Sequence, residues 1–164
     1  MLGTDLKIAI FGDTHGHLRL ALQLCRLWQL DNGRHLDAVL QCGDLGFFPN
    51  PERLDKATRR FAKKDPEELG FWRYFALPKP QKRDELVEKI LLGPPDSLQT
   101  LRGPFLWCNG NHEDFASLHE IVGEASLKAV DFYERLIYMR SGSVATLHFV
   151  DGNWRSTGRM DPAD

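Results

Sequence analysis

A chain of 164 residues, 42% hydrophobic and 27% charged, fits one globular domain with a modest core. Its formal net charge of −2 neither favours nor disfavours an anionic partner, so any positive field must come from local clustering. Three cysteines, Cys25, Cys42 and Cys108, without CxxC or Cys/His spacing, argue against a disulfide framework and a structural zinc site.

The first predicted element is a short buried strand over Leu6 to Phe11, with Ile8, Ile10 and Phe11 inside. Its apolar run is far too short to span a membrane, and Met1 to Asp13 lacks a signal-peptide pattern. A cytoplasmic protein with no membrane partner is therefore expected. After a glycine-containing loop, Leu20, Leu24, Leu27 and Trp28 recur at helical spacing until Asn32-Gly33. Asp37 to Gln41 reads as a second strand ending at Gly43. A strand–helix–strand unit of this kind implies parallel strands and a right-handed crossover.

A charged block over about 49–95 then interrupts the alternation. Its prolines predict helices over Pro51–Lys64, Pro66–Phe75 and Gln81–Leu92, closed by Gly93-Pro94-Pro95. Arg53, Lys56, Arg59, Arg60, Lys63 and Lys64 could form a basic stripe for a nucleic-acid backbone. The plainer reading is a solvated face, with Glu52, Asp55 and Asp65 nearby. Phe71, Trp72, Tyr74 and Phe75 could stack on bases, or could pack a core. Phe105 to Cys108 is the third strand and Phe115 to Val122 a helix. Leu136–Arg140 and Val144–Val150 read as a strand pair joined by Ser141-Gly142-Ser143, and 151–164 as a frayed polar tail.

Three polar clusters follow three predicted strands: Asp13-Thr14-His15, Gly43-Asp44 and Gly110-Asn111-His112-Glu113. In parallel α/β sheets the ligand crevice lies beyond the carboxyl ends of the strands, so clusters distant in sequence should converge there. Two carboxylates, an imidazole and an amide oxygen make an N/O donor set suited to manganese, iron or zinc. A carboxylate can bridge two such ions. Taken singly, each cluster also has a plain reading: a strand-end turn, a solvated histidine, or a helix start at Glu113.

The ordered set DTH, CGD and GNHE resembles the calcineurin-like metallophosphoesterases, over roughly Lys7 to Leu147. The resemblance implies an α/β/β/α sandwich and two divalent metal ions (manganese, iron or zinc). Asp13 and His15 would bind the first ion, Asp44 would bridge, and Asn111 would bind the second. His112 would stand outside the ligand shell, contacting the phosphate and assisting the leaving group in in-line hydrolysis of a phosphomonoester or phosphodiester.

The same resemblance implies three further histidines, two of them in a Gly-His-x-His motif. After His112 the chain has only His119, in a predicted helix, and His148, within a predicted strand. The expectation is therefore a truncated domain over 1–150 with its second sheet incomplete and its activity impaired. Apolar residues of Leu136 to Val150 should then lie poorly covered. A non-catalytic remnant that binds metal or phosphate weakly is the alternative. Leu45-Gly46-Phe47-Phe48 after Gly43-Asp44 departs from the serine/threonine protein phosphatase pattern. The long helical block and the GNHE motif are similar to RNA lariat debranching enzymes, although those carry cysteine where this chain keeps Asp13.

Overall fold

A computed structural model describes residues 5–150 and 153–160 of the chain. The strands β1 (Ile8–Phe11), β2 (Ala38–Cys42), β3 (Phe105–Cys108), β4 (Leu127–Ala129) and β5 (Leu136–Met139) form one sheet in the order β1-β2-β3-β5-β4. β1, β2, β3 and β5 run parallel, and β4 pairs antiparallel to β5 at one edge. The fold class is thus α/β with a mixed five-stranded sheet. The helix α1 (Leu18–Asn32) makes the first crossover and stops at Gly33, whose φ of 61° is the left-handed conformation that ends a helix.

The charged block folds into shorter pieces than its periodicity predicts. A 3-10 turn at Pro51–Arg53 precedes α2 (Lys56–Phe61), because the Asp55 carboxylate accepts from the N–H groups of Ala57 and Thr58 and starts a new helix there. A second 3-10 turn at Pro66–Leu69 leads into α3 (Gly70–Tyr74). Asp84 caps α4 (Glu85–Leu92) in the same way as Asp55 caps α2. Phe71 and Phe75 are fully buried and Tyr74 nearly so, which resolves the aromatic cluster as core packing against Phe47 and Trp107. Arg53 pairs with Asp114 at 3.1 Å, and Arg59 donates to the carbonyls of Glu52 and Leu54. Two members of the basic stripe are thus spent on internal contacts.

After β3, α5 (Phe115–Val122) opens on Asp114, whose carboxylate accepts from the Ser117 N–H. The strands β5 and β6 (Ser143–Val150) do not pair with each other as expected. β5 lies inside the main sheet, whereas β6 forms a separate antiparallel hairpin with β7 (Asn153–Met160). β7 occupies most of the stretch expected to be a frayed tail; 151–152 and 161–164 lie outside the described residues.

Exposure follows the expectation at Val144 on β6, which is 42% exposed, but not on β5. Leu136 and Tyr138 are buried, so β5 is covered. A larger group of exposed apolar residues lies at the opposite edge, on β1 and α1. Ile10 is 68% exposed, and Ile8, Leu20, Leu24 and Leu27 are exposed as well. The buried face of α1 is instead Leu18, Ala21, Leu22, Cys25 and Gln29. β1 is therefore an edge strand and not the buried one its apolar run predicts. Among the described residues no helix is long and apolar enough to cross a membrane.

Candidate metal centre

The loops after β1, β2 and β3 meet at one end of the sheet, beyond the carboxyl ends of its parallel strands. Backbone hydrogen bonds zip the first two together: Asp13 N–H to Gly43 O at 3.1 Å, His15 N–H to Asp44 O at 3.0 Å, and Gly16 N–H to Leu45 O at 2.8 Å. Such closeness needs a bare Cα at Gly46, where an added Cβ would lie 2.3 Å from the Gly16 nitrogen.

Asp13, His15 and Asp44 converge, each offering a ligand atom within 4.8 Å of the others. Their backbone is strained. Among the described residues four non-glycine residues have positive φ, and three of them are Asp13 (50°), His15 (42°) and Asp44 (51°). Each such conformation costs on the order of 1–3 kcal/mol and persists only where the surroundings enforce it. Here the backbone bonds between the two loops do so, and the strain aims three donors at one point.

Asp44 is held from the third loop. Its Oδ1 accepts from the N–H groups of Asn111 at 2.7 Å and His112 at 2.9 Å. Its Oδ2 is left facing His15 Nε2 at 3.8 Å. One carboxylate oxygen thus fixes the side chain while the other stays available to a cation. Gly110 is required here too, since a Cβ on it would lie 2.0 Å from Asp44 Oδ1. Two carboxylates and an imidazole, anchored by backbone donors, fit a divalent transition ion.

Glu113 is the buried brace of the site. Its oxygens accept from Leu45 N–H at 2.9 Å and Phe47 N–H at 2.6 Å, tying the loop after β3 to the loop after β2. Burial pushes its carboxyl up to about 7, against the opposing pull of those N–H donors. This is more than the helix start that its sequence context suggested.

His112 packs beside His15, with ring centroids 4.8 Å apart, and beside Phe48. Its Nε2 lies 2.6 Å from Thr58 Oγ1, and Thr58 Oγ1 lies 2.6 Å from Asp55 Oδ2. The carboxylate can only accept, so the Thr58 hydroxyl donates to it and must accept from His112. His112 therefore carries its proton on Nε2 when neutral, and its Nδ1 lies 3.8 Å from Asp55 Oδ2. Asn111 donates its backbone N–H to Asp44, but its side chain is exposed.

The charged block supplies two groups at the centre that sequence reasoning missed. Asp55 and Thr58 come from the start of α2. Their Asp-x-x-Thr spacing was a legible capping signal, although nothing in it pointed to His112. Glu68, from the second 3-10 turn, places its carboxylate within 4.8 Å of ligand nitrogens of His15 and His112. No local signal singles it out among the acids around it. His17, two residues past His15, ties the first loop to the block by pairing with Asp65 at 3.0 Å. The remaining histidines serve elsewhere. His119 is exposed on α5, and His148 lies in β6 with Thr157 across the hairpin at 3.3 Å. Compared with family models, with curated proteins and with solved structures, the chain finds no match in any of the three.

Proposed function

We propose that this protein is a metal-dependent phosphoesterase of the calcineurin-like kind, acting on phosphomonoesters or phosphodiesters. The observation that carries the reading is the convergence of Asp13, His15 and Asp44 on strained backbone beyond the ends of parallel strands. The α/β sheet and the separate β6–β7 hairpin are compatible with one complete and one partial layer of the implied α/β/β/α sandwich.

Asp13, His15 and Asp44 would hold a divalent ion, with Asn111 as a further oxygen donor. When bound, such ions supply charge neutralisation for a phosphoryl group and a water that ionises near neutral pH. The chain's own part is positional. The Asn111 and His112 N–H groups keep Asp44 in place, and Glu113 keeps the two loops in register. The Thr58–Asp55 pair fixes the His112 ring, so one face of the crevice presents an imidazole to an incoming phosphate.

A second reading, a centre that binds metal or phosphate without turnover, is favoured by the lack of a Gly-His-x-His motif in the sequence. Hydrolysis of nitrophenyl phosphate mono- and diesters with added manganese separates the two. Slow manganese-dependent turnover, lost in Asp44→Ala, supports the phosphoesterase. Manganese binding without turnover on either ester supports the second reading. Manganese binding unchanged in Asp44→Ala sinks both.

A further inference from the structure

We propose that Cys42 and Cys108 form a dithiol site beside the candidate centre, which a low-molecular-weight disulfide such as glutathione disulfide converts to an intramolecular Cys42–Cys108 bond. Closing that bond weakens cation binding at Asp13, His15 and Asp44. This consequence, and not the bond itself, rests on the reading that those three residues hold a divalent ion.

The sheet register brings the two thiols together. β2 and β3 run parallel with Cys42 opposite Cys108, each the last residue of its strand. Register partners on neighbouring strands lie about 4.8 Å apart and send their side chains to the same face. A disulfide spans Cα separations of about 4.4–6.8 Å, so this spacing admits one. One residue earlier, Gln41 and Trp107 are also partners, and both are 1% exposed on the core face. Alternation along the strands therefore turns Cys42 and Cys108 to the other face of the sheet. Cys42 is exposed there and Cys108 is half-buried. The Cys108 thiol leans toward β2, donating at 3.9 Å to the Gln41 carbonyl, on the peptide that leads into Cys42. The third cysteine, Cys25, is 2% exposed within the core on α1, so it does not compete.

The exchange needs only the small disulfide. The Cys42 thiolate, on the more exposed residue, attacks one of its sulfurs; one glutathione leaves, and a mixed disulfide remains on Cys42. The Cys108 thiolate then attacks the Cys42 sulfur and expels the second glutathione. Two protein thiols are oxidised to one disulfide, one glutathione disulfide is reduced, and the two protons end on the glutathione thiols. An exposed bond of this kind is readily reduced again, so the site is reversible and not part of a structural framework.

The bond acts on the centre through the chain. Gly43-Asp44 follows Cys42 directly, and Asn109-Gly110 follows Cys108. Disulfide-linked Cβ atoms stand about 3.8 Å apart, closer than neighbouring strands do, so closure draws the two strand ends together. There is no slack just beyond them. A Cβ on Gly43 would lie 3.4 Å from the Gly110 Cα, and one on Gly110 would lie 2.4 Å from the Asp44 nitrogen. The approach must therefore shift Asp44 against the Asn111 and His112 N–H groups that hold its Oδ1.

Peptide mapping of the whole chain without reductant, after incubation with glutathione disulfide, tests the site. The expected product is a monomer with Cys42 and Cys108 peptides linked, Cys25 free, and every thiol regained on reduction. A glutathione adduct that persists on wild-type Cys42, a bond to Cys25 or between chains, or thiols left unreacted overturns the proposal. In Cys108→Ser the adduct should persist on Cys42, because the resolving thiol is gone, and the wild-type map decides even where that variant fails to fold. Calorimetric titration with manganese then compares the reduced and the oxidised chain. The oxidised form should bind at least about tenfold more weakly, as when a group that orients a ligand is displaced. Equal affinity overturns the effect on the centre. Manganese binding by neither form sinks the reading of Asp13, His15 and Asp44, and the peptide map still decides the disulfide.

Discussion

Asp44 has almost no freedom, and Gly110 is the reason. An alanine at 110 would put its Cβ 2.0 Å from Asp44 Oδ1 and 2.4 Å from the Asp44 nitrogen, against backbone and not a flexible tip. Gly110→Ala should therefore displace Asp44, cost about 1–3 kcal/mol of stability, and weaken manganese binding about ten- to a hundredfold. Calorimetry beside a denaturant curve checks both, and unaltered manganese affinity would mean that Asp44 is not a ligand. Glu113 belongs to the same scale. Glu113→Gln turns an NH2 group toward one of two backbone N–H donors, at Leu45 or Phe47. A buried donor without an acceptor costs about 1–3 kcal/mol. The expected outcome is a lower urea midpoint with the urea slope unchanged, and equal midpoints would show that Glu113 does not brace the loops.

At the scale of elements, the turn between β4 and β5 is organised by one buried carboxylate. Asp131 accepts from the N–H groups of Tyr133, Arg135 and Leu136. Arg135 beside it donates to the carbonyls of Leu91, Leu101 and Gly103, tying this turn to the end of α4 and the approach to β3. Burial pushes the Asp131 carboxyl up to about 6 from 3.8, although the N–H donors pull it down. An acid raised in the folded state holds its proton where the unfolded chain has lost it. Its contribution is therefore fully present below pH 3.8 and declines as pH rises to about 6. The shift corresponds to a decline on the order of 3 kcal/mol. Asp131→Asn cannot titrate, so the difference in stability between it and the wild type should shrink as pH rises through that window. Chemical denaturation at several pH values measures it, and a difference constant with pH would place the Asp131 pKa near its ordinary value.

Across the whole molecule, the dominant asymmetry is the bare β1 edge. Ile8 and Ile10 on β1, with Leu24 and Trp28 on α1, line an open groove of about 460 Å³. Cys25 on the same helix is buried, and that burial raises its thiol to about 12, so it stays unreactive. An apolar edge strand with unpaired backbone groups is a site of self-association. Ile10→Lys should reduce concentration-dependent association in sedimentation. Because Ile10 is 68% exposed, stability should change by no more than about 0.5 kcal/mol. Undiminished association would place the sticky surface elsewhere.

What could be read from the chain alone was whatever is encoded within a few residues. Apolar runs marked β1, β2 and β3, and the polar residues just after them marked Asp13, His15, Asp44 and His112, because strand ends and glycine turns are local events. The apolar stripe Leu20, Leu24, Leu27 and Trp28 announced a helix correctly but not which side is covered, since periodicity records a face and not the surface it meets; the buried face is Leu18, Ala21, Leu22, Cys25 and Gln29. β7 was invisible because Asn153–Met160 carries no apolar alternation and exists through its pairing with β6. The approach of Glu68 to His15, and of Thr58 and Asp55 to His112, was equally unreadable. Glu68 reaches His15 through the packing of Gly16 against the block's backbone, and a contact across more than fifty residues leaves no trace in local spacing.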